Sequence, residues 1–452
     1  MEKIVTETAN NFIKNILEIL SAGGGMEKIE IESLREVKAC AAKFIGIHAE
    51  AVDAAIVEDK AIRREHGYYV ERRDDKRSIT TLVGEVSYSR TYFKKASGGY
   101  EYLTDTVLEV EPRSRVSDGL SLALVDTAKD VSYAKSSKYV ADGDISRQTV
   151  MGKVRQSQAA ENHVQQRRSV PELHIDADEA HITLVGGKRS EVPLISVYEG
   201  IGTKGKRTFC ENVFHISEYG KAPDELWEQA LTEIERRYDL TDTKIYLHGD
   251  GAKWIQTCFE WIPQAIFVLD KYHKNKAIKN VTAGLDKGRR NNFDAAIRQA
   301  LAEEDLQLFG EMVAALCEEL PERADKIKNS AIYLQNFVSG ISICEKDPGA
   351  NNGGCTEPHV SHILSARLSS RPMAWSKKTL VQLAPILAVK NFEIQPKKSL
   401  ALELPEPLKK VADKASKSLS NYSLGMPHPN AIGTLPITGK ITGTQVLLKC
   451  FT

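Results

Sequence analysis

The 452-residue chain has no net charge, with 61 Lys+Arg against 61 Asp+Glu, and no apolar run near the ~18 residues that a membrane-spanning helix needs. Its first twenty residues do not read as an apolar leader. Glu2, Lys3, Glu7, Lys14 and Glu18 interrupt the first twenty residues, where a secretory signal would be hydrophobic. Seven cysteines, an odd number without paired spacing, exclude a disulfide framework or a zinc finger and read as reduced cytosolic thiols. Cys344 and Cys355 read as incidental. There is no low-complexity tract and no internal repeat. What is present is ordinary globular material, 42% hydrophobic and 27% charged, enough for about three domains.

The neutral total conceals patches. Between Lys60 and Lys95 ten basic residues face five acidic ones, and between Lys274 and Arg290 six face one. Arg367, Arg371, Lys377 and Lys378 stand in Leu364–Lys378 with no acid at all. Each alone is what a solvated face looks like, but three on one chain point towards a polyanion, because binding depends on where charge sits.

Periodicity divides the chain. Phe12, Ile13, Ile16, Leu17 and Leu20 form a helical stripe, Gly23–Gly25 break it, and a second helical stretch covers Leu34–Ile56. Residues 67–116 hold a small antiparallel β unit, rich in β-branched and aromatic residues from Tyr68 to Leu103. Residues 117–160 return to helix. Val131–Val140, a Gly143-containing turn, and Arg147–Gln156 capped by Ser146 spell a helix-turn-helix. Val150 and Val154 face inward there, while Arg147, Gln148, Lys153 and Arg155 face out as candidate DNA contacts.

Residues 172–283 change to strands and crossovers. Leu173–Ala177 with His181–Val185, Val192–Tyr198 and Thr208–His215 are strands, Pro223–Tyr238 is a helix, and Lys244–His248 is a strand. Trp254–Trp261 is helical, Ala265–Leu269 a strand, Tyr272–Val281 a helix. An α/β core of the ribonuclease H-like kind has this order. Residues 284–350 read as an all-helical insertion, residues 351–385 return to the core with a helix from Thr356 or Glu357 to about Leu368, and residues 386–452 form a tail of weak periodicity. The G-x-G-x-x-G run from Gly200 to Gly205 is followed by a strand, so it reads as a β-turn, not a dinucleotide fingerprint.

Three acids stand in telling places. Alternation puts His174, Asp176 and Asp178 on one strand face, Asp250 follows a strand, and Glu357 opens a helix. Three carboxylates at the carboxyl ends of strands suit hard divalent cations and in-line phosphoryl displacement. Asp176 rivals Asp178 for the first position. His359 and His362, three apart on a helix, read as packing or a role near phosphate before metal ligation, and Trp254 and Trp375 as core anchors.

Asp178-Glu179-Ala180-His181, Gly249-Asp250-Gly251-Ala252-Lys253-Trp254-Ile255, Leu269-Asp270-Lys271-Tyr272-His273 and the long run Glu357-Pro358-His359-Val360-Ser361-His362 through Arg367-Leu368-Ser369-Ser370-Arg371-Pro372-Met373-Ala374-Trp375-Ser376 resemble the ISLre-type bacterial insertion-sequence transposases, a DDE family akin to Mutator-like elements. The likeness extends to the Gly84-Glu85-Val86…Arg90-Thr91-Tyr92 hairpin. It implies a catalytic triad at Asp178, Asp250 and Glu357 holding Mg2+ or Mn2+, and an Asp-x-x-His pair at Asp270 and His273, with His273 orienting a carboxylate or touching the scissile phosphate. Pro358 stands where the family has Gly. The activity implied is metal-dependent cleavage at element ends followed by strand transfer. The partners implied are double-stranded DNA, both terminal inverted repeats and target, and a homodimer or higher assembly in the cytoplasm, at the nucleoid when bound. Arg147, Gln148, Lys153, Lys274, Arg289, Arg290, Arg367 and Arg371 are the candidate DNA contacts. A nuclease that cuts without joining, or a transposase-derived DNA-binding protein with idle acids, would share these residues.

Overall fold

A computed structural model describes residues 2–160, 166–394 and 405–420, so most of the tail beyond Ile394 lies outside the described residues. The chain divides into two units, Met1–Ser117 with Ser399–Thr452, and Asp118–Lys398.

In the first unit, helices α1 (Glu2–Ser21) and α2 (Met26–Glu58) are separated at the expected glycines, and Gly23 and Gly24 both have positive φ. Asn15 Nδ2 donates to Glu36 Oε1 between them at 2.8 Å. α2 starts earlier than its apolar stripe suggests and runs 33 residues. It lies so close to the hairpin that a Cβ on Gly46 would stand 2.6 Å from Ser87 O. The hairpin strands β1 (Tyr68–Thr81) and β2 (Gly84–Lys95) are antiparallel. The charged run Glu71–Arg77 stays inside β1 through register shifts between Val70 and Arg72 and between Arg72 and Asp75. Bulges absorb the extra residues, so the strand runs unbroken through the charged stretch. Val52, Ile56, Tyr68, Phe93, Leu103 and Leu408 close the core. Arg63 and Arg90, two of the basic residues in this window, are internal: Arg63 donates to Tyr68 O, and Arg90 pairs with Asp105.

The second unit opens with the helix Asp118–Asp130, then α3 (Tyr133–Ala141) and α4 (Arg147–Val154). Ser132 and Ser146 cap as their sequence positions indicate, accepting from Lys135 N and Thr149 N, and the turn passes through left-handed Asp142 and Gly143. Val150 and Val154 are buried. Arg155 departs from its outward reading: it donates to Thr379 Oγ1 and Ser376 Oγ at 2.9 and 3.0 Å, holding the start of the helix Lys377–Ala388.

Five strands form the main sheet: β3 (Glu172–Thr183), β4 (Arg189–Tyr198), β5 (Phe214–Ile216), β6 (Lys244–Gly249) and β7 (Ile266–Leu269), in spatial order β5-β4-β3-β6-β7. The first three are an antiparallel meander; β6 runs parallel to both β3 and β7. Leu173, Ile175, Ala177, Ile195, Val197, Ile245 and Leu247 bury one face against Leu226, Trp227, Ala230 and Ile234 of α5 (Pro223–Arg237). The stretch Thr208–His215 is not one strand. Ile201–Lys204 and Arg207–Cys210 form a side hairpin around Gly205, as the β-turn reading requires, before β5 begins.

Helix α6 (Lys271–Thr282) follows β7, and the helices Lys287–Ala302, Leu306–Glu319, Ala324–Asn336 and Val338–Lys346 stack on it through Ile278, Val281, Ile297, Leu301, Phe309, Leu316, Ile327 and Leu334. Phe309 is buried there, while its neighbour Leu308 is exposed. The chain then crosses the second sheet face through Pro348–Asn351. It continues as a helix in three parts, Thr356–His359, a π-helical Val360–Ser365 and Ala366–Leu368.

Candidate functional site

The second sheet face is polar where the first is aliphatic. Alternation places His174, Asp176 and Asp178 of β3 on it, and register sets His174 beside Tyr198 and Tyr246, and Asp176 beside Ser196 and His248. The last paired residues of β6 and β7 are Gly249 and Leu269, and each strand is followed at once by an aspartate. Two register steps beyond Asp176 and His248, where the pairing of β3 with β6 ends, Asp178 therefore stands next to Asp250; β3 itself runs on to Thr183, so Asp178 lies within its strand and not at the strand end expected from sequence.

Burial is the main influence on Asp178 and pushes its carboxyl up to about 6; Asp250 and Glu179 add to the rise, and His273 opposes it. Asp178 Oδ1 accepts its neighbour's Glu179 N–H at 2.8 Å. Asp250 Oδ1 accepts the Ala252 N–H at 2.8 Å, an Asx-type turn. The helical block fixes this loop: Tyr333 OH donates to Asp250 O at 2.8 Å, and the Phe337 ring fills the space where a Gly251 Cβ would stand. Gly251 also has φ +85°, so glycine is required twice over.

Asp270 caps α6, accepting from the Tyr272 and His273 N–H groups and from His273 Nδ1 at 3.1 Å. Burial would raise its carboxyl, but these hydrogen bonds outweigh it and hold the group below the ordinary value. The Asp270 bond in turn raises His273, with Asp178 and Asp250 contributing. His273 also borders a cavity of about 500 Å³ with Lys276, Asn280, Lys326, Asn329 and Tyr333.

Asp176 has a different role from Asp178. It is 2% exposed, and Tyr198 OH donates to both its oxygens at 3.0 and 3.1 Å. Its Oδ2 also accepts the Cys355 N–H at 2.9 Å and lies 3.2 Å from His359 Nδ1. Gly354 N donates to Tyr198 OH at 2.9 Å. Gly353 is pressed on the stacked His174 and His248, whose Nδ1 and Nε2 are 3.0 Å apart; a Cβ there would stand 2.4 Å from both nitrogens. Burial lowers both histidines, His248 to about 4, so the pair sits neutral under the crossing segment. This network, which no sequence pattern announces, docks the helix bearing Glu357 on the same sheet face as Asp178 and Asp250.

Glu357 itself is exposed in the first turn. Among the described residues no three His, Cys, Asp or Glu side chains form a group that could hold a metal ion. The donor chemistry nevertheless fits a hard cation: Asp178 and Asp250 offer carboxylate oxygens side by side, and among the described residues no Lys or Arg forms an ion pair with either.

The candidate DNA contacts separate. Arg147 and Gln148 are exposed in the first turn of α4, and Lys153 is half-buried in its last. Lys274 is half-buried, which lowers its pKa. Arg289 is exposed but engaged by Glu319 through both terminal nitrogens. Arg290 is exposed and donates to Leu285 O, and Arg371 is exposed. Arg367 is not on the surface: it is 6% exposed, donates to Ala128 O at 2.8 Å and stacks between Tyr133 and Trp375. Cys210 Sγ lies 3.5 Å from His359 Nε2, and both Cys210 and Cys355 are half-buried beside this network.

Residues 21–399 match the model of an uncharacterised protein family, UPF0236. The chain is 34% identical over 396 residues to a UPF0236 protein of Caldanaerobacter subterraneus subsp. tengcongensis named under eleven joined labels from TTE0033 to TTE2212, covering 85% of this chain and 83% of that one. The same identity and length hold for the UPF0236 protein TTE0402 of that organism, covering 85% and 78%. A UPF0236 protein in the vanSb 3' region of Streptococcus gallolyticus is 24% identical over 382 residues, covering 81% and 83%. With the family model spanning most of the chain and relatives 34% identical over more than three quarters of each chain, this chain belongs to the uncharacterised protein family UPF0236.

Proposed function

We propose that this protein is an ISLre-type DDE transposase with a ribonuclease H-like core, which binds the ends of an insertion sequence and cuts and joins DNA with Mg2+ or Mn2+. The observation that carries the reading is Asp178 beside Asp250, where the parallel pairing of β3 with β6 ends, with the Glu357 helix docked on the same face. The antiparallel meander followed by parallel strands, and the helical block between β7 and the Glu357 helix, agree with what the sequence resemblance implies. A relative named under eleven labels in one organism fits a protein carried in many copies, as a self-moving element would be.

In this reading Asp178, Asp250 and Glu357 hold the metal, which when bound supplies charge neutralisation at the scissile phosphate and an activated water. Glu357 reaches the two aspartates by a shift of its exposed side chain and first turn. Burial of Asp178 disfavours its charge and so sharpens its preference for a cation. His273 keeps Nδ1 on Asp270, which leaves Nε2 for a phosphate oxygen. Lys276 and Lys326 line the adjoining cavity against a single acid, Asp325. Arg147 and Gln148 read the element end from α4, and the partners are double-stranded DNA and further copies of the chain, in the cytoplasm.

Incubation of purified protein with labelled inverted-repeat DNA tests this. Strand-transfer product in Mg2+, absent in EDTA and in Asp250→Asn with end binding retained, is the expected result. Cleavage without joining would identify a nuclease, and retention without cleavage a DNA-binding derivative. Near wild-type cleavage by Asp250→Asn would remove the site assignment.

A further inference from the structure

We infer that the open face of the α1–α2 hairpin is a self-association surface, and that its partner is a second copy of this chain on a two-fold axis at Leu34. Residues 22–25 join α1 to α2, and the Asn15–Glu36 hydrogen bond between the helices makes the pair antiparallel and sets its register. Ile13, Leu17 and Leu20 of α1 and Ile31, Leu34 and Val37 of α2 are 41–58% exposed. At about 100° per residue, the three on α1 stand about 140–160° round that helix from Asn15, and Ile31 and Leu34 stand as far round α2 from Glu36. Both stripes therefore occupy the side of the hairpin away from that bond and make one apolar face. Downstream, by contrast, α2 is closed: Val52 and Ile56 are buried with Tyr68, Phe93, Leu103 and Leu408.

Size and charge select a second copy as the occupant. The exposed apolar residues of α2 begin at Met26 and reach Ile45. That length is about 30 Å of helix, and two helices side by side are about 20 Å wide, so the face covers about 600 Å². Two such faces bury about 1,200 Å² together, which is enough for a specific dimer and more apolar surface than a monomer ordinarily leaves open. Glu30 and Lys38 flank Leu34, four positions to either side. Nearby charges pair within the chain, Lys14 with Glu18 and Lys28 with Glu32, but among the described residues Glu30 and Lys38 do not. Two α2 helices laid antiparallel with Leu34 on Leu34 set each Glu30 against the other copy's Lys38, and each Ile31 against the other's Val37. The Asn15–Glu36 register puts Leu17 beside Leu34, so the same axis pairs the two α1 helices about Leu17. A parallel pairing would oppose like charges. A face whose charges are complementary to themselves under a two-fold rotation is what an isologous dimer requires.

The test is sedimentation equilibrium of the full chain without DNA, at micromolar concentration. The wild type should have twice the mass of one chain, and Leu34→Glu should have the mass of one, with helicity by circular dichroism unchanged. Charge reversal keeps the result apart from misfolding. Glu30→Lys alone and Lys38→Glu alone should each weaken self-association by about tenfold. Mixing the two variants should restore it, because each charge then meets its opposite across the axis. A wild type with the mass of one chain would assign the face to another occupant and overturn the proposal, as would a dimer that survives Leu34→Glu. Mixed variants that associate no better than either alone would overturn the antiparallel pairing about Leu34. Because no DNA and no metal enter the measurement, failure of the transposase reading leaves this result standing, and strand transfer by itself does not supply it.

Discussion

Asp176 and His359 meet at 3.2 Å beneath the first turn of the helix that carries Glu357. The two aspartates that share a face of β3 thus divide the work: Asp176 is spent inside the protein on Tyr198, Cys355 and His359, while Asp178 faces Asp250. Replacing each by asparagine should separate them. Asp176→Asn breaks a buried network and should lower stability by about 1–3 kcal/mol. Asp178→Asn removes a carboxylate that burial disfavours, so at pH 7 it should match or exceed the wild type in stability while losing metal-dependent cleavage. Denaturant melts of the two variants check this, and equal destabilisation by both would contradict the division.

The pH dependence of that difference has a definite sign. Asp178 is raised in the folded state, from the ordinary 3.8 to about 6. Its protonated form is favoured by folding, so its contribution is complete below about pH 4 and is lost as pH rises through 6. The stability advantage of Asp178→Asn over wild type should grow between pH 4 and pH 7, to at most about 3 kcal/mol. An advantage independent of pH would place Asp178 in a solvated setting.

Gly353→Ala should destabilise by about 1–3 kcal/mol, because the added methyl meets two imidazole nitrogens at 2.4 Å and neither stacked ring has room to retreat. Thermal unfolding measures this. An unchanged melting temperature would mean that the crossing segment does not rest on the histidine pair.

Arg147→Ala and Arg367→Ala should fail differently. Arg147 is exposed on α4, so its loss should leave stability unchanged and weaken end binding by about 1–3 kcal/mol if it reads a base. Arg367 is internal, so its loss should lower the melting temperature by removing the bond to Ala128 O and leaving the pocket between Tyr133 and Trp375 unfilled. The salt slope of DNA binding by folded Arg367→Ala should match wild type; a slope reduced by about one would return Arg367 to the DNA surface.

Much of this arrangement is legible along the chain because it is local. The Ser132 and Ser146 caps, the Gly143 turn, the Gly205 hairpin and the alternation of His174, Asp176 and Asp178 each depend on residues a few positions apart, where backbone preference and side-chain period leave few choices. Local patterns misled where partners are distant. Arg155 and Arg367 look like surface cations because a guanidinium is usually solvated, yet Ser376, Thr379, Ala128 O and Trp375 receive them from far along the chain.

What the amino-acid sequence by itself determined is that Asp250 and Asp270 follow strand ends and that Asp178 shares a face with His174 and Asp176, because strand length and alternation fix both; that β3 runs on past Asp178 to Thr183 it did not show. Only the tertiary structure decided that Asp176 is an anchor and not a rival to Asp178, and that Cys210 meets His359. It also decided that Phe337 and Tyr333 clamp the Asp250 loop. The physical reason is that each of these depends on a contact across 80 or more positions, which parallel strand pairing and the return of the chain over the polar face create, and which no short-range period records.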